Sequence, residues 1–247
     1  MDVKGVQITW LGHGTFKFRT PGGKTILLDP WVQGNPAVPA DQKQVGKLDA
    51  ILVTHGHFDH IGDAITVAAE SQPQHVVGIV ETANWLAGKG VANTVGMNKG
   101  GTFDLGGIRV TMTRADHSCG ITDGDQTVYG GEAAGYVITF ESGLKVYAAG
   151  DTNVFSDMAI IGDLYQPDVA LLPIGDFYTM GPREAAYAMR LLGAPAVVPM
   201  HYATFPALTG SPSALREALA AFGLSDVEVL DVKPGQTVGA PVAPAMP

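Results

Sequence analysis

Four ligand-type side chains crowd one six-residue segment of this 247-residue chain, and they constrain its fold more than any other feature. They are His55, His57, Asp59 and His60, and they follow the short apolar run at residues 50–53. Because residues i and i+2 leaving a strand point to the same side, His55 and His57 can converge on one cation. Asp59 and His60 begin the next turn and can reach a second cation. The segment therefore predicts a metal site on a strand-to-helix turn, with ligands suited to Zn, Mn or Fe.

Three further ligand candidates each follow an apolar strand pattern elsewhere in the chain. They are His117, Asp151 and His201. Rigid strands of a layered α/β scaffold deliver side chains to one rim, so we expect these residues to complete the site. A surface turn that is merely rich in histidine would need no such partners.

The rest of the sequence alternates short β-rich runs with helical runs. Thr15–Arg19, Thr25–Leu28 and Lys145–Ala148 are predicted strands, and residues 61–71 and Pro182–Leu192 are predicted helices. Strands and helices interspersed in this way favour a mixed α/β fold with sheets inside and helices outside. No linker or short-period repeat divides the chain. We therefore expect one domain over residues 1–247, with a frayed tail at residues 240–247.

Composition excludes several classes of protein. Hydrophobic residues make up 46% of the chain and charged residues 16%, which excludes disorder as the main state. The net charge of −9 repels phosphate backbones, so a dedicated nucleic-acid partner is not expected. No apolar run approaches the ~20 residues that a membrane span needs. The lone Cys119 cannot form an intrachain disulfide, and the N-terminal segment lacks a secretory signal pattern, so a cytoplasmic location is expected.

In full and in order, the ligand candidates resemble the motif set of the metallo-β-lactamase superfamily. Flanking segments are similar to one branch, the small metal-dependent hydrolases related to the L-ascorbate-6-phosphate lactonases. These segments are residues 10–13, 28–30, 172–175, 179–182 and 201–206. The similarity runs from about residue 6 to residue 232.

The resemblance implies a fold, a cofactor and a ligand set. The fold would be an αββα sandwich of two mixed β-sheets flanked by helices. Two divalent metal ions would bind per chain, with Zn the leading expectation and Mn or Fe also suited. The first ion would be held by His55, His57 and His117, the second by Asp59, His60 and His201, with Asp151 bridging both.

The expected chemistry follows from such a pair of ions. Two cations about 3.5–4 Å apart can share a water, lower its pKa and so provide a bridging hydroxide. The expected function is hydrolysis of a small anionic ester, lactone or phosphodiester, with Asp59 orienting the hydroxide or relaying its proton.

Four further residues are candidates for substrate contacts or for support of the ligands: His13, Asp29, Thr179 and Phe205. For His13 the sequence leaves a purely structural role equally open. Cys119 follows His117 by two residues, and we interpret it as a small buried thiol.

Two alternative functions stay open at this point. One is a non-catalytic, metal-stabilised scaffold or sensor, and an intact Asp59 weighs against it. The other is a nucleic-acid phosphodiesterase, which normally needs a clamp domain or a basic surface. A small-molecule substrate is the favoured partner. A homo-oligomer is also expected by resemblance, although no feature of the sequence fixes its symmetry.

Overall fold

Two mixed β-sheets of seven strands each form the centre of the computed structural model, which describes residues 1–239. The first sheet contains, in spatial order, β16 (Thr237–Val238), β1 (Gln7–Gly12), β2 (Thr15–Arg19), β3 (Thr25–Leu28), β4 (Ala50–Leu52), β5 (His75–Ile79) and β6 (Thr94–Met97). The second contains β15 (Glu228–Val229), β14 (Ala196–Met200), β13 (Val169–Pro173), β12 (Lys145–Ala148), β11 (Ala134–Thr139), β8 (Arg109–Arg114) and β7 (Thr102–Asp104). A separate hairpin is formed by β9 (Gly120–Asp123) and β10 (Gln126–Tyr129).

Helices cover the outer face of each sheet. They are α1 (Phe58–Ile61), α2 (Ala64–Ser71), α3 (Val80–Gly88), α4 (Met158–Tyr165), α5 (Pro182–Leu192) and α6 (Pro212–Ala221). The first three pack buried residues such as Val67 and Leu86 on the first sheet, and the last three pack residues such as Met189 and Leu215 on the second. Within residues 1–239, none of the helices has the length and apolar character that crossing a bilayer requires.

The largest hydrophobic core lies between the two sheets. Strand side chains alternate between the two faces of a sheet, so Phe16 and Phe18 of β2 both point inward, and Tyr136 and Ile138 of β11 meet them from the second sheet. The buried Tyr136 hydroxyl donates a hydrogen bond to the Val53 carbonyl, 2.7 Å away, and so joins the sheets near the end of β4. The predicted αββα sandwich is confirmed.

Some predicted elements differ from the structure. The helix predicted over residues 61–71 begins at Ala64 as α2, and Ile61 instead ends the separate short helix α1, because Asp63 leaves helical geometry with φ −106° and ψ 8°. Its carboxylate instead accepts hydrogen bonds from the backbone amides of Val32, Gln33 and Gly34. Four strands, β6, β9, β10 and β16, have no counterpart in the sequence prediction, since they are short, contain only Met97 and Ile121 as buried residues and so lack a clear apolar pattern. The predicted tail at residues 240–247 lies outside the described residues.

Candidate metal centre

The predicted ligands meet where strands of both sheets end at one edge of the sandwich. Strands β3 and β4 run parallel, so Asp29 and the segment after residue 52 leave the first sheet together. Strands β12, β13 and β14 also run parallel, so Asp151 and His201 leave the second sheet on a common side. Three site residues adopt a left-handed backbone conformation: His13 with φ 54°, Asp29 with φ 48° and His201 with φ 56°. This geometry brings residues from positions 13 to 201 into one cluster.

A first group of three imidazoles comes from the ligand turn and the segment after β8. His55 Nε2 lies 3.0 Å from His57 Nδ1, and His117 Nε2 lies 3.3 Å from the same atom. The other ring nitrogen of His57 lies 3.1 Å from the Ser118 hydroxyl, which fixes the ring orientation. These three residues form one candidate metal-binding group, as the resemblance implied.

A second group contains His60, Asp59 and His201, and the structure adds His13 to it. The candidate ligand atoms of these four residues all lie within 4.8 Å of one another. His13 Nε2 is 2.9 Å from Asp59 Oδ2, and the His13 ring lies 3.8 Å, centroid to centroid, from the ring of His201. His13 is fully buried, so it supports the ligands and does not face the solvent.

Asp151 lies between the two groups. One carboxylate oxygen, Oδ2, is 2.9 Å from His201 Nε2 and 3.7 Å from His117 Nε2. The other, Oδ1, is 3.3 Å from His60 Nε2. A single buried carboxylate therefore contacts imidazoles of both groups, the arrangement expected of a bridging ligand.

Several buried ligand-type atoms of this centre have no hydrogen-bond partner among the described residues. They are His60 Nε2, His201 Nε2 and Asp151 Oδ1, together with the Nδ1 atoms of His13 and His201. Buried polar atoms are nearly always satisfied, because leaving one unpaired costs ~1–3 kcal/mol. His60 Nε2 and His201 Nε2 approach the Asp151 carboxylate to 3.3 and 2.9 Å without the alignment of a hydrogen bond. Imidazole nitrogens and carboxylate oxygens that converge in this way fit a divalent cation in both chemistry and placement.

Burial sets the protonation of the first group. It lowers the pKa of His55 well below its usual value, because a charged ring is poorly solvated there. Burial likewise lowers the pKa of His57 and of His117. These imidazoles are neutral at neutral pH, which is the form that binds a metal ion.

Pairs of histidine and carboxylate side chains set the protonation of the second group. Burial alone would lower the pKa of His60, but Asp151 and Asp29 face its two ring nitrogens and raise that pKa well above the usual value. Burial opposes ionisation of Asp59, yet the hydrogen bond from His13 and the nearby His60 outweigh it and lower the Asp59 pKa to about 2. Asp59 is therefore anionic at neutral pH.

Asp29 supports one imidazole in each group. Its Oδ2 accepts a 2.7 Å hydrogen bond from His60 Nδ1 and another, also 2.7 Å, from the Thr54 hydroxyl. The same hydroxyl lies 3.0 Å from His55 Nδ1, so Asp29 acts on His55 through Thr54. Both rings are thereby held with Nε2 aimed at the centre. Thr54 was not among the predicted residues, although its place directly before His55 could have suggested it.

A cavity of about 630 Å³ opens over the centre. Phe205, one of the candidates for substrate contact, lies in its wall. Thr179 is not among its lining residues within the described chain, and its neighbour Tyr178 lies there in its place. Thr122 of the β9–β10 hairpin also contributes to the wall. Cys119 is buried outside the cavity, and its thiol donates a hydrogen bond to the Gly130 carbonyl, as expected for a structural cysteine.

Similarity to known proteins covers nearly the whole chain. A family model described as a beta-lactamase superfamily domain matches residues 24–202. A UPF0173 metal-dependent hydrolase of Koribacter versatilis is 58% identical over 240 residues, 96% of this chain and 99% of that protein. A UPF0173 metal-dependent hydrolase of Rubrobacter xylanophilus is 52% identical over 236 residues, 95% of this chain and 97% of that protein. The structure of Igni18, a metallo hydrolase from Ignicoccus hospitalis, matches with a TM-score of 0.81 and 36% identity, covering 94% of this chain and 97% of that one.

Proposed function

The chain belongs to the beta-lactamase superfamily as a metal-dependent hydrolase, and from this membership we propose that it uses two divalent cations to hydrolyse a small-molecule ester, lactone or phosphodiester. One observation carries the proposal. The buried Asp151 carboxylate lies between two groups of imidazoles, and in the second group His60 Nε2 and His201 Nε2 lack hydrogen-bond partners in the described structure.

The residues divide into two ligand sets. His55, His57 and His117 would hold the first cation, and Asp59, His60 and His201 the second, with Asp151 shared. When bound, the two cations would lower the pKa of an attacking water and polarise the carbonyl or phosphoryl oxygen of the substrate. Zn is the leading candidate, and Mn or Fe also suit these ligands.

The protein's own groups position the reactants. Asp59 lines the cavity and is anionic, so it can accept a hydrogen bond from the attacking water and fix its orientation. A carboxylate with a pKa of about 2 is a weak base, which favours this orienting role over proton transfer. His13 donates to Asp59 Oδ2 and so holds the carboxylate in place.

Two features favour a small molecule over a nucleic acid. The cavity is of the size that small ligands occupy, ~300–1,000 Å³. No Lys or Arg of the described residues lines it, and the chain carries a net charge of −9. A polyanionic strand would find no cationic track beside the centre.

Metal content is the first test. The purified chain is analysed by mass spectrometry as isolated and after reconstitution with Zn or Mn, and we expect about two ions per chain. Asp151→Asn should lose at least one of them. Asp168→Asn is the matched control, because Asp168 accepts the Lys145 amide hydrogen bond at the opposite end of β12 and touches no ligand. An absence of bound metal under all conditions would overturn the proposal.

Hydrolysis is measured next with the loaded protein on esters, lactones and phosphodiesters. Asp59→Ala should lower the rate by about 100-fold or more, since it removes the group that orients the attacking water. A non-catalytic scaffold would give no turnover with any of these substrates, and Asp59→Ala would then change nothing.

A further inference from the structure

The wall of the cavity over the metal centre is aromatic on the side of the ligand turn. Phe58 lies between His57 and Asp59 in the chain, and it lines the cavity together with Phe205. Both rings pack on the buried Trp31, Phe58 edge-to-face and Phe205 stacked, each with centroids 5.9 Å apart. We call these three residues the aromatic wall.

A second aromatic element comes from the segment after β13. Tyr178 lines the same cavity, and its ring contacts Phe177 edge-to-face at 4.7 Å. Asp176 and Phe177 adopt left-handed φ values of 66° and 59°, so a tight turn presents this pair. Phe58 and Tyr178 are each 57% exposed, although large apolar side chains of this kind are usually covered.

Cationic side chains are missing from this cavity. None of its lining residues within positions 1–239 is Lys or Arg. The charged groups beside it are the carboxylates of Asp59 and Asp151, which the metal ligand set uses. An anionic group of a substrate that reached beyond the cations would exchange its water for the neutral hydroxyls of Ser118, Thr122 and Tyr178, with no cationic side chain among the described lining residues to balance its charge, which is unfavourable.

We propose that the part of the substrate that does not react is an uncharged aromatic or aliphatic group, bound between the aromatic wall and Tyr178. The inference rests on the hydrolase function proposed above and narrows it. The reacting ester, lactone or diester group lies at the metal centre, and the remainder is apolar. The substrate is therefore a neutral apolar ester or lactone, or a phosphodiester whose only charge lies on the reacting phosphate. For the ester and the lactone this departs from the anionic substrate that the sequence predicts.

Two esters that differ by one charge test this inference in the metal-loaded protein. They are 4-nitrophenyl phenylacetate and its analogue with a carboxylate at the para position of the acyl ring. We expect kcat/KM to be at least about tenfold higher for the neutral ester. Phe58→Ala and Tyr178→Ala should each reduce the neutral-to-charged ratio of kcat/KM about two- to tenfold, the range for losing one aromatic contact.

Tyr187→Ala is the matched control. Tyr187 is an exposed aromatic residue on α5, 41% accessible, and it does not line the cavity. The exposure of Phe58 and Tyr178 means that their replacement removes little core packing, so the variants should stay folded. Circular dichroism and metal content confirm that before kinetics are compared.

A binding measurement separates this inference from the proposed function. The uncleavable N-methylphenylacetamide and its para-carboxylate analogue are titrated by ligand-observed NMR. We expect tighter binding of the neutral amide, weakened by Phe58→Ala and not by Tyr187→Ala. That result without turnover of any ester would overturn the hydrolase proposal alone. Equal or better binding and turnover of the charged compounds would overturn the inference alone, as would identical behaviour of Phe58→Ala and Tyr187→Ala. No binding and no turnover would overturn both.

Discussion

Replacing Asp29 by asparagine should weaken metal binding without removing any ligand. Asp29 is 1% exposed and accepts three hydrogen bonds, from the Thr54 amide, the Thr54 hydroxyl and His60 Nδ1. An asparagine Oδ1 can keep the bond to the Thr54 amide. Its Nδ2 is a donor and faces two donors, so the carboxylate bond that orients His60 is lost.

The size of the effect follows from that one bond. A hydrogen bond to a charged group contributes ~1.5–3 kcal/mol. Since ~1.4 kcal/mol corresponds to tenfold in an equilibrium constant, the cation held by His60 should bind about 10- to 100-fold more weakly. Loss of carboxylates that orient ligating histidines has effects of about this size in other metal sites. The cation held by His55 should be affected less, because Asp29 acts on that ring through Thr54.

The assay is a competition titration with a chromophoric zinc chelator, which should give two stepwise dissociation constants if the protein binds two cations as proposed. Asp49→Asn is the control, because Asp49 accepts the Thr25 amide hydrogen bond at the opposite end of β4. It should leave both constants within about twofold of the wild type, a change of under ~0.5 kcal/mol. Wild-type constants in the Asp29→Asn protein would refute the reasoning, since His60 would then need no carboxylate to hold its ring.

Three more perturbations have expected outcomes. Thr54→Val removes the hydroxyl between Asp29 and His55, so the chelator titration should show weaker binding at the first cation, about tenfold. Tyr136→Phe removes the hydroxyl that donates to the buried Val53 carbonyl. The free energy of unfolding in urea should fall by ~1–3 kcal/mol, with metal content unchanged. Removal of metal should lower the thermal unfolding midpoint measured by calorimetry, since a ligand at 100 times its dissociation constant stabilises the folded state by ~2.7 kcal/mol. An unchanged midpoint would show that the stability of the fold does not depend on the ions.

The sequence predicts most of the strands and helices because these depend on local patterns, and the seven candidate ligands that it singles out lie together at one edge of the sandwich. Strands β2, β3 and β12 and helix α5 have the predicted bounds. For α5 the reason is explicit, since proline stands in its first turn and Gly193 ends it with φ 63°. His55 and His57 could be paired from spacing alone, because two residues on one strand exit have a fixed relation.

Residues that depend on tertiary contacts were harder to assign. For His13 the sequence allows a structural or a functional role, and only the meeting of the segments that follow β1 and β14, where the His201 amide donates to the His13 carbonyl, brings its ring to that of His201. The sequence places the whole segment 177–180 near the cavity, but it does not distinguish Tyr178, which lines the cavity, from Thr179, because side-chain direction after a left-handed turn cannot be read from spacing. The β9–β10 hairpin has only one apolar cross-strand pair, Ile121 opposite Val128, so its sequence carries a weak strand pattern and its position beside the cavity follows from the fold around it.

The left-handed backbone at His13, Asp29 and His201 lowers the stability of the fold at the residues that build the metal centre. An L-residue in that conformation costs ~1–2 kcal/mol, and Asp and His tolerate it better than most. Three such residues amount to ~3 kcal/mol or more, a large share of the ~5–15 kcal/mol by which a domain is stable. A chain optimised only for stability would carry glycine at these positions. The backbone that places these side chains at the centre therefore makes the fold less stable, and we expect ion binding to restore part of that free energy of unfolding.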